Sequence, residues 1–259
     1  MKIATWNVNS LKVRLPHVLD WLAGQSVDVL CLQETKLVDD KFPAAALDEA
    51  GYHVLYTGQP TYNGVAMLTR KDTVGPADLI AAANPLYDDP QKRLLAASVA
   101  GMTIVCAYFP NGQEVGSDKY GYKLAWIDAL TTWVGGLRAQ GQPLVLTGDF
   151  NIAPEDRDVH DPALWAGKVL CSEPERERFR ALCGLGLVDA FRLFEQPPKS
   201  FSWWDYRQLG FRRNAGLRID HVLVDERLRD KVLGCAIDKE PRRREQPSDH
   251  APVIAELGA

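Results

Sequence analysis

Five apolar, strand-like runs in this chain each meet a carboxylate, an amide or a histidine at one end. Ile3-Ala4-Thr5-Trp6 leads into Asn7, and Val27-Asp28-Val29-Leu30-Cys31-Leu32 leads into Gln33-Glu34. Pro143-Leu144-Val145-Leu146-Thr147 runs into Gly148-Asp149-Phe150-Asn151, and Leu217-Arg218-Ile219 into Asp220-His221. Ser248-Asp249-His250 opens the final run, Ala251-Pro252-Val253-Ile254-Ala255. Strand ends lie at the rim of a sheet, where a rigid scaffold holds side chains with little entropy left to lose. One such acid means little, because Asp and Asn are common turn residues. Five sets of oxygen ligands plus histidine, spread along the whole chain, read as one composite site for a hard divalent cation and as metal-assisted hydrolysis.

Leu11, Leu15, Val18, Leu19 and Leu22 recur at helical spacing, with Ser10 as N-cap and Gly24 as the stop. A strand over 27–33 follows, then a short helix from Pro43 to Ala50. Strands are expected over 52–57, 64–69, 94–100 and 103–109, the last two joined as a hairpin at Gly101-Met102. Residues 118–140 carry the longest helical pattern, with Tyr122, Trp126, Leu130, Trp133 and Leu137 on one stripe that reads as core. A strand over 143–149, an irregular stretch to about residue 172, a helix over 173–183 and an extended piece at 188–190 come next. Strands over 200–204, 218–224, 232–238 and 251–256 complete the pattern. β-Meanders interrupted by helices, without regular βαβ alternation, imply an α/β fold of two mixed sheets packed face to face with helices outside.

No Ser/Gly linker or low-complexity tract divides the 259 residues, so one domain over 1–259 is expected. The N-terminus enters a strand at once and does not resemble a signal peptide, and no apolar run approaches the roughly 18 residues that span a membrane. The five cysteines form no C-x-x-C pair and read as reduced thiols of a cytoplasmic protein, which also argues against zinc. A net charge of −4 argues against indiscriminate coating of nucleic acid. An acidic metal site can nevertheless coexist with a basic rim. Arg207 through Arg212-Arg213 to Arg218, and Arg242-Arg243-Arg244, are local clusters suited to phosphate.

Magnesium takes two or three protein oxygens and keeps water for the rest of its octahedron. Glu34 is the leading direct ligand, because a carboxylate ending an apolar run is costly unless it meets a cation. Asp149 and Asn151 alternate along what reads as an extended segment, so both side chains should point to one side: the acid orients water while the amide donates to the phosphorane. Gly148 would leave room for close approach of the substrate. His250, flanked by acid and followed by a buried strand, is the acid–base candidate, with Asp220 fixing its tautomer and Asp249 free to reach metal or its waters. His17, His53, His160 and His221 lack this setting and read as structural.

Thr5-Trp6-Asn7-Val8-Asn9-Ser10, Leu32-Gln33-Glu34-Thr35-Lys36, Gly148-Asp149-Phe150-Asn151-Ile152-Ala153-Pro154, Gly216-Leu217-Arg218-Ile219-Asp220 and Pro247-Ser248-Asp249-His250-Ala251-Pro252-Val253 together resemble the exonuclease III family of abasic-site endonucleases. Tyr108-Phe109-Pro110-Asn111-Gly112 and Phe201-Ser202-Trp203-Trp204-Asp205-Tyr206-Arg207 resemble its DNA-repair branch more narrowly. The likeness runs from residue 1 to about 256. It implies a four-layer α/β sandwich and a magnesium-dependent (or manganese-dependent) phosphodiesterase acting on double-stranded DNA with abasic sites or blocked 3′ ends. That enzyme would be a monomer and carry 3′–5′ exonuclease and 3′-phosphatase activity. The same resemblance implies that Glu34 and Asn7 hold the metal, with Asp149, Asn151, Asp249 and His250 around it. It makes Asp149 the water activator, Asn151 and His250 the transition-state donors, Asp220 the orienter of His250 and Tyr108 a donor to the scissile phosphate. Asn9, Lys36, Arg93, Asn111, Arg212 and Arg213 would lie along the DNA, and Trp203, Leu217 and Ile219 would line a pocket for an extruded sugar.

Some members of that family process 3′ ends well and cut internal abasic sites poorly. Trp165-Ala166-Gly167 is the most suggestive part of the irregular segment 156–171, where small residues at the rim would leave space for an extruded sugar and favour genuine abasic-site cleavage. A phosphoinositide or lipid phosphatase would share Glu34, Asp149 and His250, but not the Ser202-Trp203-Trp204-Asp205-Tyr206 motif. A non-catalytic DNA-binding relative would have lost at least one motif, and all are present.

Overall fold

The computed structural model describes residues 1–258. In chain order the elements are β1 (Lys2–Asn7), α1 (Leu11–Gln25), β2 (Val29–Gln33), α2 (Ala44–Glu49), β3 (Tyr52–Thr57), β4 (Val65–Arg70), β5 (Asp78–Ala81), β6 (Leu94–Val99), β7 (Met102–Tyr108) and α3 (Asp118–Ala139). They continue as β8 (Leu144–Asp149), α4 (Pro162–Trp165), α5 (Glu173–Gly184), β9 (Leu187–Asp189), β10 (Trp203–Trp204), β11 (Gly216–Leu217), β12 (Asp220–Asp225), β13 (Val232–Ile237) and β14 (Val253–Leu257).

Two six-stranded mixed sheets form, in the orders β13-β14-β1-β2-β4-β3 and β5-β6-β7-β8-β12-β9, with β10-β11 as a separate ribbon. Each sheet has one parallel pair near its middle, β1 with β2 and β7 with β8, joined by α1 and α3 respectively. Alternation along the strands gives each sheet two apolar faces. Ile3, Cys31 and Met67 of the first sheet meet Ile104, Val145 and Val222 of the second in the central core. Trp6, Leu30 and Leu68 turn the other way to meet Val18, Trp21 and Leu22 of α1. Val105 and Leu146 likewise pack on Trp126 and Leu130 of α3 and Phe179 of α5. The result is the expected four-layer sandwich.

Several local expectations are corrected. Ser10 makes no side-chain cap and itself holds φ +89°, and α1 ends one residue past Ser10–Gly24 at Gln25, where a left-handed Ser26 stops it. The hairpin between β6 and β7 turns on Ala100-Gly101, both at positive φ, with Val99 opposite Met102. The edge strand β5 went unread because three of its four residues are exposed, so it has no buried alternation to betray it. Within 200–204 only Trp203–Trp204 is strand, paired with Gly216–Leu217.

Candidate active site

The two sheets bring their rims together at one end, and the site is built there. Asn7 ends β1, and its Nδ2 donates to Glu34 Oε1 (2.8 Å) just past β2 and to Asp149 Oδ2 (2.9 Å) at the end of β8. One amide thus ties the first sheet to the second, with its oxygen turned to the Asn9 amide (3.0 Å). The Tyr108 hydroxyl, at the end of β7, donates to Glu34 Oε1 (3.0 Å), while Lys36 Nζ lies 2.9 Å from Oε2. Glu34, Asp149 and His250 each offer a ligand atom within 4.8 Å of the other two. Two carboxylates and one imidazole suit a hard or borderline divalent cation. Asn7, expected to hold the ion with Glu34, instead turns its oxygen to the Asn9 N–H and its amide nitrogen to the two carboxylates.

His250 stands just before β14, and its Nδ1 lies 2.9 Å from Asp220 Oδ2. A carboxylate only accepts, so Nδ1 carries the proton and Nε2 faces Asp149 Oδ2, 3.8 Å away and beyond hydrogen-bond length. Burial by itself would depress the His250 imidazole, but the Asp220 and Asp149 carboxylates outweigh it and raise it to about 10. Burial lifts the Asp149 carboxyl to about 7; Asp220 adds to the rise, and His250 and the Asn7 amide oppose it. At Glu34 burial pushes upward, yet the Lys36 ammonium and the Asn7 hydrogen bond prevail and lower it.

Asp149 and Asn151 do come together, though not by strand alternation. Asn151 holds φ +50°, and the chain folds back as a turn in which its N–H donates to Asp149 Oδ1 (2.9 Å) and its Nδ2 approaches Oδ2 (3.3 Å). Asn9, Glu34 and Lys36 also hold positive φ. For residues other than glycine such backbone costs about 1–3 kcal/mol each, and it gathers at functional sites. Gly148 leaves no room for substrate: a Cβ there would sit 1.8 Å from the Ala107 carbonyl oxygen of neighbouring β7.

The remaining expected residues separate into two groups. Asn111 Nδ2 donates to Asn151 Oδ1 (3.0 Å), Lys36 Nζ donates to Asn9 Oδ1 (2.5 Å), and Arg93 lies over the Tyr108 ring at 4.8 Å. A cleft of about 640 Å³ runs from Tyr108 and Asn111 past Arg93 to Asn63 and Tyr62. Asp249 is tied to Asn9 Nδ2 (3.0 Å) and Trp203 Nε1 (2.9 Å), outside the three-residue cluster. Leu217 and Ile219 are fully buried core, covered by Trp165, Val169 and the half-buried Trp203, so they line no open recess. The basic clusters shrink. Arg218 is buried against Asp158 and Asp189, Arg207 pairs with Asp205, Arg243 with Glu240 and Arg244 with Asp20. Arg242 is buried over Phe211 and Tyr206. Arg212 and Arg213 alone stay exposed with no ion pair among the described residues.

Sequence reasoning missed Ser202, whose hydroxyl donates to Asp220 Oδ2 (2.6 Å) and accepts from the Asp220 N–H (3.1 Å). It also missed Ser248, whose hydroxyl donates to the Asn7 carbonyl (2.6 Å), and the buried pair Lys123–Glu175. Lys123 did leave a signal, because it shares helical spacing with buried Tyr120, Ile127 and Leu130.

A model of the endonuclease/exonuclease/phosphatase family matches residues 4–250. The chain belongs to that family. Within it the likeness is to exonuclease III proteins. Exodeoxyribonuclease III of Haemophilus influenzae is 34% identical, over 99% of this chain and 100% of that protein. The 3′ phosphatase NExo from Neisseria, solved bound to a product DNA hairpin, superposes with a TM-score of 0.96 at 46% identity, covering 100% of both chains. An AP endonuclease from Archaeoglobus fulgidus gives 0.92 at 34%, again covering 100% of both. The rim that joins Glu34, Asp149 and His250 is therefore the candidate site of an endonuclease/exonuclease/phosphatase-family chain.

Proposed function

We propose that this chain is a divalent-metal-dependent phosphodiesterase of DNA repair. It cleaves 5′ to abasic sites and processes 3′ ends by 3′–5′ exonuclease and 3′-phosphatase action, as a cytoplasmic monomer. The observation that carries the reading is the convergence of Glu34, Asp149 and His250 at one rim, with Asp220 behind the histidine. Glu34 and Asp149 would hold the ion, magnesium first and manganese as its substitute. When bound, the ion supplies charge neutralisation at the reacting phosphate. Asp149 takes the proton of the attacking water. The His250 Nε2–H donates to the phosphoryl oxygens, and Asp220 keeps the imidazole turned toward them. Asn151 Nδ2, bonded to the Phe109 carbonyl (3.0 Å), turns its second N–H from Asp149 Oδ2 (3.3 Å) to the phosphate. Tyr108 and Arg93 face the cleft along which the strand would lie.

A second reading restricts the enzyme to 3′ ends, and one observation favours it. The apolar set Leu217 and Ile219 lies closed beneath Trp165, Val169 and Trp203, and offers no ready space for an extruded sugar. The 46% identity to the 3′ phosphatase NExo, against 34% to the Archaeoglobus AP endonuclease, points the same way. One experiment tests both readings. A duplex with one internal abasic site and a duplex with a 3′-phosphate are incubated with magnesium and with excess EDTA. Metal-dependent cleavage of both supports the full activity, and turnover of the 3′-phosphate alone supports the restricted one. Undiminished cleavage in EDTA overturns the metal-dependent mechanism.

A further inference from the structure

The buried ammonium of Lys123 takes no direct part in the chemistry above, yet its hydrogen bonds end on the backbone of the catalytic turn. Lys123 on α3 and Glu175 on α5 are both fully buried and form an ion pair. Lys123 Nζ also donates to the main-chain carbonyls of Asn151 (2.7 Å) and Asn111 (3.1 Å). An ammonium has three N–H groups, and all three are used. Glu175 is equally saturated: besides Lys123 it accepts from the Leu170 N–H (3.0 Å), the Ser172 N–H (3.0 Å) and the Ser172 hydroxyl (2.5 Å). The two carbonyls belong to the two residues whose amides meet in the site, where Asn111 Nδ2 donates to Asn151 Oδ1.

We infer that Lys123, held by Glu175, is a positioning residue that locks the Asn151 amide beside Asp149. Asn151 holds a left-handed backbone, which costs energy and persists only where its surroundings over-determine it. The cation bonded to its carbonyl supplies one such constraint from behind the site, beside the Phe109 carbonyl that accepts from Nδ2 (3.0 Å). Without it the carbonyl is left buried and unpaired, the peptide relaxes, and Nδ2 swings away from the phosphoryl oxygen. The pair lies outside the proposed metal cluster and reaches the cleft through the Asn111 main chain, so its loss should change DNA binding less than turnover. This inference rests on the reading of Asn151 as a donor to the reacting phosphate.

The test compares wild type, Lys123→Met and the double variant Lys123→Met with Glu175→Leu, on the 3′-phosphate duplex in saturating magnesium. Lys123→Met leaves a bare buried carboxylate and should lower Tm. Removing both charges should recover only part of the loss, because the Leu170 and Ser172 N–H groups and the two carbonyls are then left unpaired. A small misplacement of a reacting group costs about 10²-fold, so kcat should fall by that order in both variants. KM should rise less than kcat falls, since Lys123 reaches the cleft only through the Asn111 main chain. A double variant that regains both Tm and kcat overturns the inference and leaves the pair merely structural. An inactive wild type would instead sink the nuclease reading. The positioning claim is then judged by the Asn151 side-chain amide in ¹⁵N NMR spectra. Its resonances should move in both variants, and unmoved resonances overturn the claim.

Discussion

Two buried histidines, one from each sheet, show what the sign of a neighbour does. His221 follows Asp220 on β12, and successive side chains on a strand point to opposite faces. Asp220 therefore reaches His250 at the rim, while His221 turns to the helices and lies between Phe150 and Phe179. A guanidinium only donates, so the Arg218 Nη1 bond (3.0 Å) makes His221 Nδ1 an acceptor, and Nε2 donates to the Ile152 carbonyl (2.9 Å). Burial depresses His221 to about 4, with Arg218 adding to the fall; at His250 two carboxylates overturn the same burial and raise it to about 10. The His221 cluster is balanced, Arg218 pairing with Asp158 and Asp189 and Arg192 with Asp158. The rim instead sets Glu34, Asp149 and Asp220 around one imidazole and one ammonium. A balanced cluster holds the fold, and an unbalanced one has capacity left for a ligand.

The largest expected effect breaks that comparison at Asp149. Asp149→Asn keeps the shape and removes the base, so turnover should fall about 10²–10⁴-fold with duplex affinity retained. Stability should hold or rise, because a carboxylate lifted to about 7 is one the fold tolerates poorly when charged. Activity within a few-fold of wild type would remove Asp149 from the mechanism. Arg218→Met should do the reverse. It leaves Asp158 and Asp189 without their shared partner, and losing one member of a buried pair costs about 3–5 kcal/mol. Turnover per folded molecule should stay near wild type, measured alongside urea denaturation. A stable but slow variant would mean that the balanced cluster also serves catalysis.

The carboxylate–histidine cluster was legible in sequence because strand ends announce themselves. Glu34, Asp149, Asp220 and His250 each stop or open an apolar run. What failed was everything decided by non-local pairing. Arg207, Arg218 and Arg242-Arg243-Arg244 look alike on paper, yet Arg218 is consumed by carboxylates 60 and 29 positions away, at Asp158 and Asp189. Gly148 is required by the Ala107 carbonyl of the adjacent strand, a neighbour no local window contains. Leu217 and Ile219 were rightly grouped with Trp203, but whether such a group is floor or pocket depends on what the 156–171 segment lays over it.

A smaller effect should appear as a pH dependence of stability. The ordinary histidine value is about 6.5, and in the fold His221 resists protonation down to about 4. Between these values the unfolded chain binds the extra proton and the native one does not. Stability is thus fully present above pH 6.5 and declines as pH falls toward 4, by about 3 kcal/mol in all. Comparing denaturation of wild type and His221→Gln across this range isolates the contribution from that of the carboxylates. Parallel curves would show that burial and Arg218 do not hold His221 neutral.

The smallest effect concerns charges that neither cluster consumes. Arg212 and Arg213 lie exposed on the loop after β10, and no carboxylate among the described residues pairs with either. Arg243 and Arg244 are close in composition, but Glu240 and Asp20 already lie 3.0 and 2.9 Å from them. A guanidinium that neutralises one DNA phosphate releases condensed counterions, so losing it flattens the log–log dependence of affinity on salt by about 0.9. Arg212→Ala or Arg213→Ala should show that change in duplex-binding titrations between low and moderate salt, while Arg243→Ala should leave the slope alone. The pairing decides the contrast: an arginine already bonded to a carboxylate must give up that bond before it gains a phosphate. An altered slope for Arg243→Ala with none for Arg212→Ala or Arg213→Ala would mean that the duplex meets Arg243 and not the two unpaired arginines of the 205–214 loop.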